Sequence, residues 1–234
     1  MRTKLPIILV LLLLLSANAA GEALSPTTGL PSDAPYRPIL VEISNTPGSS
    51  PSGARPIIGL SSADIVYESI YWGPGHTRYL ALFNDQHPEI VGPLRSTRVF
   101  FCELRQMWDC PFVFIGGPSS TPYDELDTYR FFKIHNVPKA MLFDGINGTT
   151  IYRHPDRGGS QAAVAKLRTI VDDHGPMDEK TGDPYEPRLP GFAFSETPVD
   201  NGNHDFANTV DIVYDAEKYA VRYVYDKATR QYIR

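Results

Sequence analysis

Apolar and polar positions alternate with a period of two in several short stretches of this chain, and each such stretch predicts a strand. In residues 37–44, Ile39, Val41 and Ile43 fall on one face. Residues 64–71 and 77–84 are β-branched and aromatic and are joined through Gly73-Pro74-Gly75-His76. That composition predicts a hairpin with a wide loop, with His76 and Arg78 at its tip or just inside. Residues 111–115 are short and apolar, as in a buried strand, and run into Gly116-Gly117. Residues 209–214 and 220–226 form another strand pair, followed by a strand-like 231–234. An edge left in mid-pattern there predicts a truncated polypeptide or fragment.

Elsewhere the period lengthens to that of a helix. Residues 94–108 follow the turn Gly92-Pro93 and set Phe101, Leu104 and Trp108 on one face, with Arg95, Arg98, Cys102 and Arg105 along another. Residues 124–132 predict a short helix, and 162–171 a further one with Ala163, Val164, Leu167 and Val171 as its apolar side. Two Pro- and Gly-rich stretches interrupt these patterns. Residues 45–56 form a loop long enough to act as a lid or an entrance edge, and 175–198 an irregular connection. The sum is a mixed α/β fold of the α+β kind, with a central sheet flanked by helices over residues 37–197 and an incomplete β-rich second domain over 198–234.

The amino terminus changes the compartment. Arg2 and Lys4, an apolar run over 5–15 and then Ser16-Ala17-Asn18-Ala19-Ala20 have the three parts of a secretory signal peptide, predicted over residues 1–20. A Gly/Ser/Thr/Pro leader over 21–36 reads as flexible. The expected location is extracytoplasmic: secreted, or periplasmic where there is an outer membrane. The apolar run is short of the roughly 20 residues of a membrane span, and no cysteine near the cleavage point offers itself for lipidation, so no permanent membrane anchor is expected.

Cleavage removes Arg2 and Lys4 from the 22 basic residues, leaving 20 against 27 acidic ones and moving the formal charge from -5 to -7. With no basic tract, nucleic acid is excluded as an expected partner. The two cysteines, Cys102 and Cys110, would stand about 12 Å apart on one continuous helix, beyond disulfide reach. Either the helix ends between them and they bond, or both are buried free thiols.

Candidate chemistry gathers at Gly92-Pro93-Leu94-Arg95-Ser96-Thr97-Arg98. A helix entrance carries partial positive charge and unpaired N–H donors, so guanidinium groups there call for a compensating anion. Backbone donors and arginine forks bind phosphate or carboxylate well. Asp64, Glu68, His76, Arg78, Arg95, Ser96, Arg98, Gly116 and Gly117 all fall at strand ends, turns or this entrance and form the predicted ligand-binding set. The plainer alternatives are an ion pair of Asp64 or Glu68 with Arg78 across the hairpin, and pairing of Arg95 and Arg98 with Asp64, Glu68 or Asp127. Ser96 with His76 as base lacks a nucleophile elbow and an orienting acid. His154, in a charged turn with Arg153 and Arg157, is either at the cleft rim or in a surface loop. Tyr67, Tyr71, Trp72 and Tyr79 offer stacking faces or core filling. The scattered histidines show no zinc-ligand spacing, and neither metal nor cofactor is expected.

Three motifs in order, Gly59-Leu60-Ser61-Ser62-Ala63-Asp64-Ile65-Val66-Tyr67-Glu68, His76-Thr77-Arg78-Tyr79-Leu80-Ala81-Leu82-Phe83 and Gly92-Pro93-Leu94-Arg95-Ser96-Thr97-Arg98, resemble the bacterial YerB-like family, extracytoplasmic proteins built on a domain of unknown function. The resemblance covers about residues 37–157. Gly116-Gly117 stands where that family has His-x-Gly-Gly, but here Phe114 and Ile115 precede the pair, so the histidine is missing. Members are often lipoproteins; this chain lacks the lipidation cysteine. The resemblance implies a smaller carboxy-terminal domain, partly present after about Thr197, and no established activity. The order of motifs is also similar to that of LytR-CpsA-Psr phosphotransferases, which would imply Arg78, Arg95 and Arg98 on phosphates and Asp64 placing magnesium.

Three functions are therefore expected to compete. The first is an envelope protein binding an anionic small molecule or cell-wall precursor, a phosphate or an acidic sugar, in an arginine-lined cleft. The second is a metal-assisted phosphotransferase on lipid-linked glycans, and the third a non-catalytic envelope scaffold.

Overall fold

The computed structural model describes residues 23–72, 76–119, 124–173, 189, 191–195, 207–214 and 220–234. The predicted signal peptide and most of the connection over 175–198 lie outside these residues. The central sheet is built on β1 (Ile39–Ser44), which is buried along its whole length. It pairs antiparallel with β3 (His76–Phe83), which pairs antiparallel with β2 (Ile65–Trp72). On its other side β1 pairs parallel with β4 (Phe112–Phe114), and β4 with β5 (Leu142–Asp144), giving the order β2-β3-β1-β4-β5. The fold is mixed α/β.

Both faces of β1 are covered, so its alternation sorts two cores rather than core from solvent. Ile39, Val41 and Ile43 join Tyr79, Ala81, Phe83, Val91, Leu94 and Val113 on one side. Leu40 joins Leu80, Leu82, Phe101, Trp108, Phe112, Phe114 and Phe132 on the other, beneath α1 (Val99–Trp108) and α2 (Thr128–Ile134). Glu42 shares the second face with Leu40.

The helix expected over 94–108 starts only at Val99. Before it the chain is extended and hydrogen-bonded on two sides: Ser44 N–H donates to the Pro93 carbonyl at 2.8 Å and Arg95 N–H to the Glu42 carbonyl at 3.1 Å. Ile115 N–H donates to the Arg95 carbonyl and Thr97 N–H to the Gly116 carbonyl, each at 2.9 Å. Tertiary pairing therefore claims five residues whose local pattern is helical. The helix stops at Asp109, in the left-handed region at φ 47. It ends between the cysteines, yet Cys102 and Cys110 are buried free thiols. Arg105, expected on a polar stripe, is buried and donates from Nε to the Cys110 carbonyl at 2.9 Å.

The predicted helix over 162–171 divides. β7 (Ala163–Ala165) pairs antiparallel with β6 (Ile151–Arg153), and only then does α3 (Leu167–Asp173) begin. All three residues of β7 are buried, and Ala165 exchanges both backbone hydrogen bonds with Val91 at 2.9 Å, which overrides alanine's preference for helix. The leader is not free from residue 23 onward. Thr27 Oγ1 donates to Asp64 at 2.7 Å and Thr28 Oγ1 to Asp85 at 2.9 Å, fastening it to the end of the hairpin. The loop over 45–56 is held by Arg157, whose guanidinium donates to the carbonyls of Ala54 and Pro56. A three-stranded antiparallel sheet follows, in the order β10 (Gln231–Ile233), β9 (Ala220–Asp226), β8 (Thr209–Val213).

Candidate functional site

Register decides what meets at the helix entrance. Arg78 lies opposite Ser44 on β1 and Ser69 on β2, so it shares the helix side of the sheet with Glu42. Its Nη1 is 4.0 Å from Glu42 Oε1, and the two side chains are 4% and 0% exposed. Nη1 also donates to the Ser96 carbonyl, and the guanidinium lies on Tyr71 with its carbon 3.7 Å from the ring centroid. Burial lowers Arg78 to about 10, against the pull of Glu42. Burial likewise pushes the Glu42 carboxyl well up, against the attraction of Arg78 and Arg98. Neither Glu42 oxygen has a hydrogen-bond partner among the described residues.

Arg98 is the cap residue of α1 and gives the helix no side-chain cap; no acid stands in its first turn. Its Nη1 donates to the Thr97 carbonyl at 2.7 Å and its guanidinium carbon is 5.4 Å from the Tyr71 centroid. Burial lowers Arg98, opposed by Glu42 and Tyr71 and reinforced by Arg95. Arg95 points outward and donates to the Ser160 carbonyl at 3.1 Å. Arg78 and Arg98 thus both act on one carboxyl group, which is sealed inside the sheet. Arg98 and Tyr71 line a cleft of about 530 Å³ together with Val99, Phe100, Pro118, Leu126, Glu103 and Glu125.

The glycine pair supports this entrance. Gly116 adopts φ +67, and its N–H donates to Asp144 at 2.6 Å. At Gly117 a Cβ would run into the Thr128 hydroxyl, so only glycine lets the chain pass α2 this closely. The Ser96 carbonyl, rather than its hydroxyl, makes the contacts to Arg78 and Arg98.

Glu68 and His76 belong to a different place. Alternation carries Glu68 to the other face of the hairpin, where Oε1 accepts from Asn45 at 2.9 Å and Thr77 at 2.7 Å, and Oε2 pairs with Arg234 at 2.9 Å. These residues line a second cleft, of about 330 Å³, with Arg55, His76 and, from the carboxy-terminal sheet, Tyr214. Tyr71 borders both clefts. Asp64 joins neither. It lies five residues back along β2 from Ser69, about 17 Å at strand spacing, and accepts from Thr27 and from Asp85 N–H. Burial raises its pKa against those bonds.

Two participants were absent from the predicted set. Glu42 was signalled only by being the one acid in Ile39-Leu40-Val41-Glu42-Ile43-Ser44, and Arg55 by a guanidinium in a Pro/Gly/Ser loop. The turn at His154 is structural: Asp156 N–H donates to His154 Nδ1 at 3.2 Å, and the neighbouring Arg157 is buried.

Residues 27–175 match the family described as protein of unknown function (DUF3048), N-terminal domain, and the chain belongs to that family. It is similar to YerB of Bacillus subtilis (strain 168), which is named as a lipoprotein: the two are 41% identical over 102 residues, 42% of this chain and 29% of YerB. The crystal structure of YerB from Bacillus subtilis matches with a TM-score of 0.63 at 27% identity, over 90% of this chain and 65% of that one. The chain spans less than two thirds of the relatives it matches.

Proposed function

We propose that this is an extracytoplasmic envelope protein that binds an anionic amphiphile at the entrance of α1, with the acidic head group at Arg98 and Arg95 and the apolar body along Tyr71, Val99, Phe100, Pro118 and Leu126. The observation that carries the reading is the helix start itself, which has neither a side-chain cap nor an acid in its first turn and sets Arg98 beside an apolar wall. Arg78 is not a ligand contact here; held by Glu42, Ser96 and Tyr71, it stiffens the floor behind Arg98. An apolar wall beside a cation favours a phosphate on a hydrocarbon chain over free phosphate. The name of YerB as a lipoprotein supports the extracytoplasmic setting. The aspartate that a phosphotransferase would use to place magnesium is at the far end of β2, which favours binding over turnover.

The test is thermal unfolding of the chain without its predicted signal peptide, in octyl phosphate, inorganic phosphate and octyl glucoside, for the wild type, Arg98→Ala and Arg95→Ala. Octyl phosphate should raise Tm more than phosphate, octyl glucoside should not, and each variant should lose the shift. Equal shifts with the neutral detergent, or an undiminished shift in Arg98→Ala, would overturn the reading.

A further inference from the structure

The second cleft lies on the opposite side of the hairpin from the α1 entrance, and it is lined differently. Its cations are Arg55 and Arg234, its anion is Glu68, and its remaining polar groups are the amide of Asn45, the imidazole of His76 and the hydroxyls of Thr46, Thr77, Tyr71 and Tyr214. Glu68 is already committed on both oxygens, to Asn45 and Thr77 through one and to Arg234 through the other. Arg55 has no such match. Its Nη2 donates to the Asn45 side-chain oxygen, while Nη1 is closed to water and makes no hydrogen bond among the described residues. A buried donor left unmade is costly, more so when charged. The cleft therefore holds one unmatched positive charge among hydrogen-bonding groups that suit hydroxyls.

We infer that this cleft is a second ligand site, built for a small sugar acid whose carboxylate pairs with Arg55 and whose hydroxyls meet Thr46, Asn45 and the tyrosines. Its volume of about 330 Å³ is at the low end for small-molecule sites, which fits one compact ring rather than a chain. Planar groups bound it: Tyr71, with His76 edge-on at 6.4 Å between centroids, and Tyr214 from the other sheet. Burial and the nearby Glu68 push Tyr214 up to about 12, so its hydroxyl keeps its proton and donates at neutral pH. An incoming carboxylate draws the Arg55 guanidinium forward into the cleft and supplies the partner that Nη1 lacks. The groups that recognise the acid come from the loop after β1 and those that recognise the ring from both sheets, so neither sheet makes the site alone.

The experiment is titration calorimetry of the same chain with glucuronate, glucose and inorganic phosphate, on wild type, Arg55→Gln, Tyr214→Ala and Arg98→Ala. Saturable binding of glucuronate is expected, at least tenfold tighter than glucose or phosphate. Arg55→Gln and Tyr214→Ala should each weaken it at least tenfold, with the circular dichroism of both variants checked against wild type. Arg98→Ala should leave it unchanged, which separates this site from the amphiphile cleft. Glucose or phosphate binding as tightly as glucuronate, wild-type affinity in a folded Arg55→Gln or Tyr214→Ala, loss in Arg98→Ala, or no saturable binding would each overturn the inference. Should Arg55→Gln fail to fold, Tyr214→Ala, changed in the other sheet, decides.

Discussion

Arg78 and Glu42 face each other from adjacent strands at 4.0 Å, a distance at which they attract but share no hydrogen bond. Taking away one member of a buried pair leaves the other uncompensated, whereas replacing both with apolar groups removes the desolvation cost of each. Arg78→Met is expected to lower unfolding stability by about 3–5 kcal/mol, and Glu42→Leu by a comparable amount. The double variant should regain more than half of the summed loss in a urea-denaturation cycle. Additive losses would show that the two side chains do not act as a pair.

The same carboxyl sets a pH dependence with a definite sign. Its folded-state pKa is raised above the ordinary 4.5, so the folded chain holds this proton more tightly than the unfolded one. The contribution is complete below 4.5 and is lost as pH rises from there toward the folded value. Glu42→Gln should remove this decline, so that stability relative to wild type improves as pH rises above 4.5. Parallel curves for the two proteins over that range would contradict the assignment.

Burial pushes both thiols up to about 12, and both side chains are sealed in the helix-side core. A thiol that is neither ionised nor reachable reacts slowly. Labelling of Cys102 and Cys110 by a disulfide reagent should be negligible in the native chain and stoichiometric at two per chain in denaturant. Rapid native labelling of either would mean that α1 opens readily.

Gly117→Ala should cost about 1–3 kcal/mol, the usual range for overfilling a packed site. The obstacle is the Thr128 side chain, so Thr128→Ala added to Gly117→Ala should restore part of that loss although Thr128→Ala alone removes a hydrogen bond to the Pro118 carbonyl. Comparison of thermal midpoints checks this; no difference between Gly117→Ala and wild type would place the strain elsewhere.

The hairpin and β1 were legible because β-branched alternation and Gly/Pro turns are local signals, and the predicted strands fall within two residues of those observed. The start of α1 and the nature of 162–171 were not. Residues 94–98 and 163–165 are extended through bonds to β1, to Gly116 and to Val91, and those partners cannot be seen in a window of neighbours. The site divided for a related reason. Arg95, Ser96, Arg98 and Gly116 are close in the chain or joined by the strand that follows α1, and the structure brings them together. Glu68 and Asp64 part from Arg78 by strand parity and by length along β2, quantities that require the register rather than the composition. Glu42 was hidden by its own surroundings, one acid in a strand that otherwise reads as apolar.

The one acid on β1 and the one arginine on β3, set diagonally on adjoining strands among apolar neighbours, also work as an alignment key. Sliding β1 by a single position would send Glu42 into the aliphatic layer with Val91 and Leu94 and turn Val41 or Ile43 toward Arg78. Each mismatched pairing strands two charges at once, so the fold's most awkward residues are the ones that tell its central strands where to stop.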